Sequence, residues 1–191
     1  MLDAAGAGAY IDASGPPRRR GRVGRGDVGH MSEEAKERTL VICKPDAVQR
    51  QLVGRVLTRF EAKGLKIVGL KMMRMSRELA ERQYAPHKGK YFYEPLLAFM
   101  TAGPVVLIVL EGKDAVAVVR SMMGPTFGPD APPGTIRGDF GMSKRYNLVH
   151  GSDSPDAAAA EIALFFCPEE LVDYELRGFP WIYDVSTGEV I

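Results

Sequence analysis

Cysteine is nearly missing from this chain of 191 residues. Cys43 and Cys167 are the only two, and neither lies in a CxxC or zinc-ligand spacing. A disulfide scaffold and a structural zinc site are thereby disfavoured, and both thiols read as small buried hydrophobes suited to a reducing compartment. Long apolar runs are missing too. The run Val105–Leu110 is strand-sized, far short of the ~20 residues that span a bilayer, so no membrane partner is expected and the location is taken as cytoplasmic. No Walker A motif, HExxH or GxSxG occurs, so any phosphate chemistry must do without a Walker-type cradle. Charge is scarce in sum, at +1. Residues 1–30 hold five arginines against three aspartates, a net +2, which leaves −1 for the rest. A near-neutral body gives no sign of a nucleic-acid surface.

The first 30 residues are Ala/Gly-rich and then run Gly-Pro-Pro-Arg-Arg-Arg-Gly-Arg with no apolar periodicity, which predicts a disordered, solvated extension over 1–31. Its aspartates argue against a transit peptide, and it lacks the apolar core of a secretory signal. Met31 opens a segment that reads as a natural protein start. The expectation is that translation begins there, that residues 1–31 add nothing to catalysis, and that 32–191 form one domain.

From Thr39 onward the pattern is dense. Thr39–Cys43 is a buried-strand run ended by Lys44-Pro45-Asp46. Apolar residues at 53, 56, 57 and 60 predict a helix from Val53 to Lys63, with Gly64 as its terminator. Strand character returns over Leu65–Met75, helices are expected over Arg77–Tyr84 and Glu94–Met100, a strand over Pro104–Leu110, and a helix over Asp114–Met123. Residues 124–147 read as one long Gly/Pro-punctuated loop, and loops of that length in compact domains are usually functional. Ser154-Pro155-Asp156 starts a last helix, running to Phe165 or Phe166. Trp181 and Tyr183 are expected to anchor an irregular tail. The alternation of strands with helices predicts an α+β sandwich, with helices over one face of a largely antiparallel sheet.

Of the three histidines, His150 alone sits among chemically capable groups, in Asn147-Leu148-Val149-His150-Gly151-Ser152-Asp153. An imidazole is the side chain best suited to act as a neutral nucleophile near pH 7. Lys44, Arg120 and Arg137 stand near loop ends, and glycines flank Arg137 in what reads as a tight, displayed turn. Glu161 reads either as a helix-face charge or as a carboxylate turned toward His150.

Three motifs then fall together: the histidine heptapeptide, Ile42-Cys43-Lys44-Pro45-Asp46-Ala47-Val48-Gln49-Arg50, and Pro133-Gly134-Thr135-Ile136-Arg137-Gly138-Asp139-Phe140. In this order and spacing the chain resembles the nucleoside diphosphate kinase family over nearly all of residues 38–183. The resemblance implies an α+β fold, a ferredoxin-like sandwich whose mainly antiparallel four-stranded sheet is covered by helices. It implies ping-pong transfer of the γ-phosphate of a nucleoside triphosphate to a nucleoside diphosphate through a phosphohistidine on His150. Lys44, Tyr84, Arg120, Thr126 and Arg137 are then expected to position phosphates, Asn147 and Lys44 to reach the ribose, and Phe92 to stack on the base. Glu161 and Ser152 are expected to orient the imidazole. Mg2+ is expected on the nucleotide's own phosphates, with no metal ligand from the protein. A homohexamer or a smaller assembly of dimers is implied. One position departs: where the family commonly closes the base slot with an aliphatic residue, this chain has Lys144, which leaves base preference open. Two other readings compete. A non-catalytic relative on this fold would typically have lost the histidine, and an RNA-binding module would depend on the arginine-rich tail.

Overall fold

The computed structural model describes residues 36–184. The expected extension 1–31 lies outside them. Four strands form one sheet in the order β2-β3-β1-β4: β1 (Glu37–Cys43), β2 (Lys66–Arg74), β3 (Pro104–Gly112) and β4 (Val149–Gly151). Every neighbouring pair is antiparallel, as the four-stranded sandwich required. Between the strands lie α1 (Pro45–Gln49), α2 (Val53–Lys63), α3 (Arg77–Gln83), α4 (Tyr93–Thr101), α5 (Ala115–Met123) and α6 (Ile136–Phe140), and α7 (Pro155–Phe165) follows β4.

The central strands β1 and β3 read as continuous apolar runs because both their faces are covered. Val41, Cys43, Val106, Ile108 and Leu110 point to one side, where α2 and α5 bring Val56, Phe60, Val119 and Met123. Leu40, Ile42, Val105, Leu107 and Val109 point to the other, against Ala80 of α3, Leu97 and Met100 of α4, and Ile162 and Phe165 of α7. This corrects the expectation of helices on one face only. Alternation is visible where burial is one-sided: along edge strand β2, Leu70 and Met72 are exposed.

Local chemistry fixes the ends. Gly64 closes α2 with φ of 97°, a left-handed conformation that costs other residues strain. Ser76 and Ser154 cap α3 and α7, accepting from the amides of Leu79 and Ala157. Residues 124–147 are more ordered than a loop: a 3₁₀ turn (Gly128–Asp130) and α6 lie within it, and Thr135 caps α6 by accepting from the Gly138 amide. Cys43 is buried as expected, but Cys167 is exposed, at the cap of a 3₁₀ turn over Pro168–Glu170. The tail also differs from expectation. Trp181 is 92% exposed, and the packing falls to Phe179, whose ring lies 4.8 Å from that of Tyr183. Among the described residues no helix is long and apolar enough to cross a membrane.

Phe60 is fully buried on the face of the sheet away from α3 and α7. Phe60→Ala is expected to cost about 3–5 kcal/mol in urea unfolding, while leaving the folded protein's ligand affinity within about twofold, because α2 supplies no wall of the cleft described next.

Candidate active site

β4 is only three residues long, and its pairing decides where the histidine goes. Val41 lies opposite Gly151, Ile42 opposite His150 and Cys43 opposite Val149. Alternation sends Val149 into the α2/α5 core, and His150 to the opposite face, beside α3 and α7. Gly151 sits close under α5: a Cβ there would come 2.6 Å from Met123 Sδ, and the methionine would have to shift.

The segment leading into β4 is strained. Leu148 has φ of 68°, and the Val149 amide donates to the Asn147 carbonyl at 2.7 Å, a tight γ-turn that a buried, non-glycine residue adopts only when its surroundings dictate it. Those surroundings are visible. The Leu148 amide donates to Asp46 Oδ2 at 3.1 Å, and the Lys44 amide donates to the Leu148 carbonyl at 2.8 Å. Arg137 then grips the turn with its side chain, Nε donating to the Asn147 carbonyl at 3.2 Å and Nη2 to the Val149 carbonyl at 2.8 Å, while Nη1 reaches the Gly124 carbonyl at 2.8 Å. The turn read from sequence as displayed is thus a buried clamp. Arg137 is 8% exposed, and Gly138 packs so closely that a Cβ would meet the Pro132 carbonyl oxygen at 2.0 Å. Burial, then repulsion from Arg120, lowers the Arg137 pKa to about 10.

Lys44 and Asn147 form a second tie. Lys44 Nζ donates to Asn147 Oδ1 at 2.7 Å, and Asn147 Nδ2 donates to the Thr126 carbonyl at 2.9 Å. Burial, helped by the Arg137 charge and opposed by Asp46, lowers the Lys44 pKa to about 8. Arg120 pairs instead with Asp153 and remains half exposed.

His150 is held from behind. Its Nε2 lies 2.9 Å from Glu161 Oε1, and Ser152 Oγ donates to Glu161 Oε2 at 2.6 Å. Burial pushes the Glu161 carboxyl up, but hydrogen bonds from His150, Ser152 and Gln83 outweigh it and hold the group below the usual carboxylate range. An ionised carboxylate only accepts, so in the neutral ring the proton sits on Nε2 and Nδ1 carries the lone pair. Among the described residues no hydrogen bond engages Nδ1. The Tyr84 ring meets the imidazole edge-on, centroids 6.1 Å apart, and its buried hydroxyl has no partner among the described residues. Burial and the Glu161 charge raise the Tyr84 pKa, which keeps the phenol a donor.

These groups line one cleft of about 690 Å³, together with Phe92, Arg120, Thr126 and Lys144. That size suits a small-molecule ligand. Lys44, Tyr84, Phe92, Arg120, Thr126, Arg137, Asn147 and His150 are all on its wall, and Glu161 and Ser152 stand behind the imidazole. Three residues missed from sequence join them. His87 and Phe127 line the cleft, and Gln83 reaches Glu161 Oε1 at 2.6 Å. A signal for Gln83 existed: it is a polar residue three positions after Ala80, on the buried stripe of α3. Phe127 hid in a Gly/Pro-rich stretch with no periodicity. Among the described residues no group of three His, Cys, Asp or Glu side chains is placed to hold a metal ion.

The geometry therefore offers an imidazole whose Nδ1 has no hydrogen bond among the described residues, on the wall of a cleft rich in cations. Comparison with known proteins bears on what such a cleft serves. The family model described as nucleoside diphosphate kinase matches residues 37–171. A protein of Carboxydothermus hydrogenoformans named nucleoside diphosphate kinase is 57% identical over 148 residues, covering 78% of this chain and 99% of that one. One of the same name from Thermomicrobium roseum is 58% identical over 146 residues, covering 76% and 98%. Among solved structures, a halophilic nucleoside diphosphate kinase from Halobacterium salinarum in complex with CDP superposes with a TM-score of 0.77 at 52% identity, covering 78% of this chain and 99% of that chain. With its sheet order, its histidine strand and sequence identity above half, the chain belongs to the nucleoside diphosphate kinase family.

Proposed function

We propose that the cleft carries a phosphoryl group from a nucleoside triphosphate to a nucleoside diphosphate by way of His150. The observation that carries this reading is the hydrogen bond from His150 Nε2 to Glu161, which leaves the Nδ1 lone pair to the cleft. Nδ1 attacks the γ-phosphorus, the bond from phosphorus to the β,γ-bridging oxygen breaks, and the diphosphate leaves with that electron pair. The ring, now bonded to phosphorus and still protonated at Nε2, is cationic, and Glu161 stabilises it. A terminal oxygen of a second diphosphate then takes the phosphoryl group and restores the imidazole. Splitting the transfer this way gives ping-pong kinetics.

Phosphoryl transfer asks mainly for positioning and charge stabilisation. Lys44 and Arg120 supply charge. Arg137 spends three of the five N–H donors of a guanidinium on carbonyls and keeps two for phosphate. Tyr84 offers its hydroxyl and Thr126 its side chain to the phosphates, Asn147 and Lys44 reach the ribose, and Phe92 stacks on the base. The halophilic relative solved with CDP supports a nucleotide in this cleft. Mg2+ fits only as part of the nucleotide complex. The cleft cations repel a bare dication, and the nearest carboxylates, Asp153 and Glu161, are paired to Arg120 and His150. Bound to the phosphates, the ion would neutralise charge that the cations leave uncovered. The same reading proposes a homohexamer, or a smaller assembly of dimers, supported by Leu70 and Met72 exposed on edge strand β2. It also proposes a cytoplasmic location, in keeping with two free thiols.

Incubation with γ-labelled ATP is expected to give a phosphoenzyme that is acid-labile and base-stable and that passes its label to GDP. His150→Ala should form none of it while keeping the wild-type circular dichroism spectrum. A label that survives acid, or one retained by the variant, would place the chemistry on another residue.

Lys44 adds a pH test. Its charge is lost from the free protein as pH rises through about 8, so ADP affinity measured by calorimetry should weaken between pH 7 and 9.5. Lys44→Met should bind about tenfold more weakly at pH 7 and with a flatter pH dependence. The stability sign is separate. An unfolded lysine titrates near 10.5, so over the window from about 8 to 10.5 the unfolded chain binds more protons. Lys44 therefore contributes stability that rises with pH there.

A further inference from the structure

Gln83 is the last residue of α3 and is buried, with only 7% of its surface exposed. Its Nε2 lies 2.6 Å from Glu161 Oε1 and 3.2 Å from His150 Nε2. An amide carries two donors on nitrogen and an acceptor on oxygen. Turned the other way, the amide would press its own oxygen against a carboxylate oxygen, so the NH₂ group faces Glu161. The consequence is that Gln83 Oε1 is buried with no partner among the described residues. A buried, unpaired amide oxygen lowers stability, and a methionine of similar shape would avoid that loss. Local rules are broken in this way where function holds the residue in place.

We propose that Gln83 is a positioning residue for His150, and that it tempers the carboxylate that orients the imidazole so that the ring stays neutral and reactive. This rests on the reading of His150 as nucleophile. Glu161 Oε1 accepts from two donors, and the shorter bond, 2.6 Å against 2.9 Å, goes to Gln83 rather than to His150. Oε2 is taken by Ser152 at 2.6 Å. A carboxylate whose lone pairs are shared in this way keeps its rotamer but pulls less strongly on the proton at Nε2. The amide N–H dipole also points its positive end toward Nε2, which disfavours a second proton on the ring. Both effects lower the proton affinity of His150, and only the unprotonated Nδ1 can attack phosphorus.

Other charges face the same ring. Lys44 stands at the end of β1, Tyr84 and His87 follow α3, Arg120 is on α5 and Arg137 on α6, Asp153 follows β4, and Glu161 is on α7. Gln83 is neutral, so replacing it by methionine leaves every one of these charges in place and adds none. A change in the titration of His150 would then report the hydrogen bond and not a change in net charge.

The test uses the full chain with ¹⁵N-labelled histidine, in wild-type, Gln83→Met and Gln83→Glu forms, following the His150 ring nitrogens by NMR from pH 5 to 9. The wild type should hold its proton on Nε2 with Nδ1 bare. Gln83→Met should raise the His150 midpoint by about half a unit, and Gln83→Glu should raise it further, because a second carboxylate adds charge as well as removing a donor. Labelling by γ-labelled ATP at pH 6.5 should slow by up to about threefold in the methionine variant, the change that half a unit allows, with the acid limb moved upward by about half a unit and no fall in Tm. An unchanged midpoint and tautomer in Gln83→Met would overturn the proposal, whether or not the rate fell. A wild type that takes no label on His150 would refute the phosphohistidine reading instead, and the ring titration would still report what Gln83 does to the imidazole.

Discussion

Three residue pairs between β1 and β4 hold the site together. Val149 and Gly151 need the α2/α5 side of the sheet, one to fill the core and the other to clear Met123. Antiparallel pairing with Cys43 and Val41 locks them there, and the two-residue period of a strand leaves His150 no choice of face. A one-residue slip would bury the imidazole among aliphatic side chains and turn Val149 to the face that His150 holds. The histidine is therefore fixed by what its neighbours require. Such a short strand cannot hold its register alone. Lys44, Asp46 and Arg137 do it from outside, through hydrogen bonds to the backbone of residues 147–149.

That arrangement explains why the cations of the cleft are of two kinds. Arg120 is half exposed and paired with the exposed carboxylate of Asp153; exposed pairs of this sort contribute little to stability. Lys44 and Arg137 are buried, with proton affinities lowered by that burial. A buried cation without a counter-ion is unfavourable, and both are kept by hydrogen bonds to neutral acceptors: Asn147 Oδ1 for the first, three carbonyls for the second. On the proposed reading an arriving polyphosphate supplies the missing negative charge. Part of the folding free energy is thereby held as a site preorganised for an anion, as electrostatic catalysis requires.

The sequence carried more of the candidate site than of its surroundings. His150, Glu161 and the Lys44-Pro45-Asp46 corner were legible because each sits at a sharp change of pattern: a strand ending, a helix starting after a proline. The central strands were legible from their unbroken apolar runs, yet the same runs imply helices on both faces, and the one-face expectation overlooked this. β4 was invisible to periodicity, since three residues make no period, and only the resemblance implied a fourth strand. Arg137 looked displayed because glycines flanked it. In the fold those glycines, Gly138 above all, let the backbone close in and bury the guanidinium. Trp181 was judged by its size, but the tail packs through Phe179 and Tyr183 and leaves the indole in solvent. Gln83 could be found only by noticing a polar residue on a buried stripe, and its partners, Glu161 and His150, are far off in the chain.

Lys144 shows how far the cleft's chemistry constrains its ligand. Its ammonium lies 5.8 Å from the centroid of Phe127, a cation–π distance that keeps the head at the rim of the cleft. Lys144 and Phe92 both line the cleft, and on the proposed reading the aliphatic stem packs on the base opposite the ring. Discrimination between bases requires buried polar groups that go unpaired with the wrong one. A ring on one side and a methylene chain on the other provide none, since every base has a π-face. The charge at the rim could favour bases that present a carbonyl edge, but a solvated ammonium gains little from such a contact. On the proposed reading the specificity of the site lies in the phosphates, beside Lys44, Arg137 and His150, and the base end tolerates exchange. That division suits a reaction in which one nucleotide must leave so that another, with a different base, can take its place.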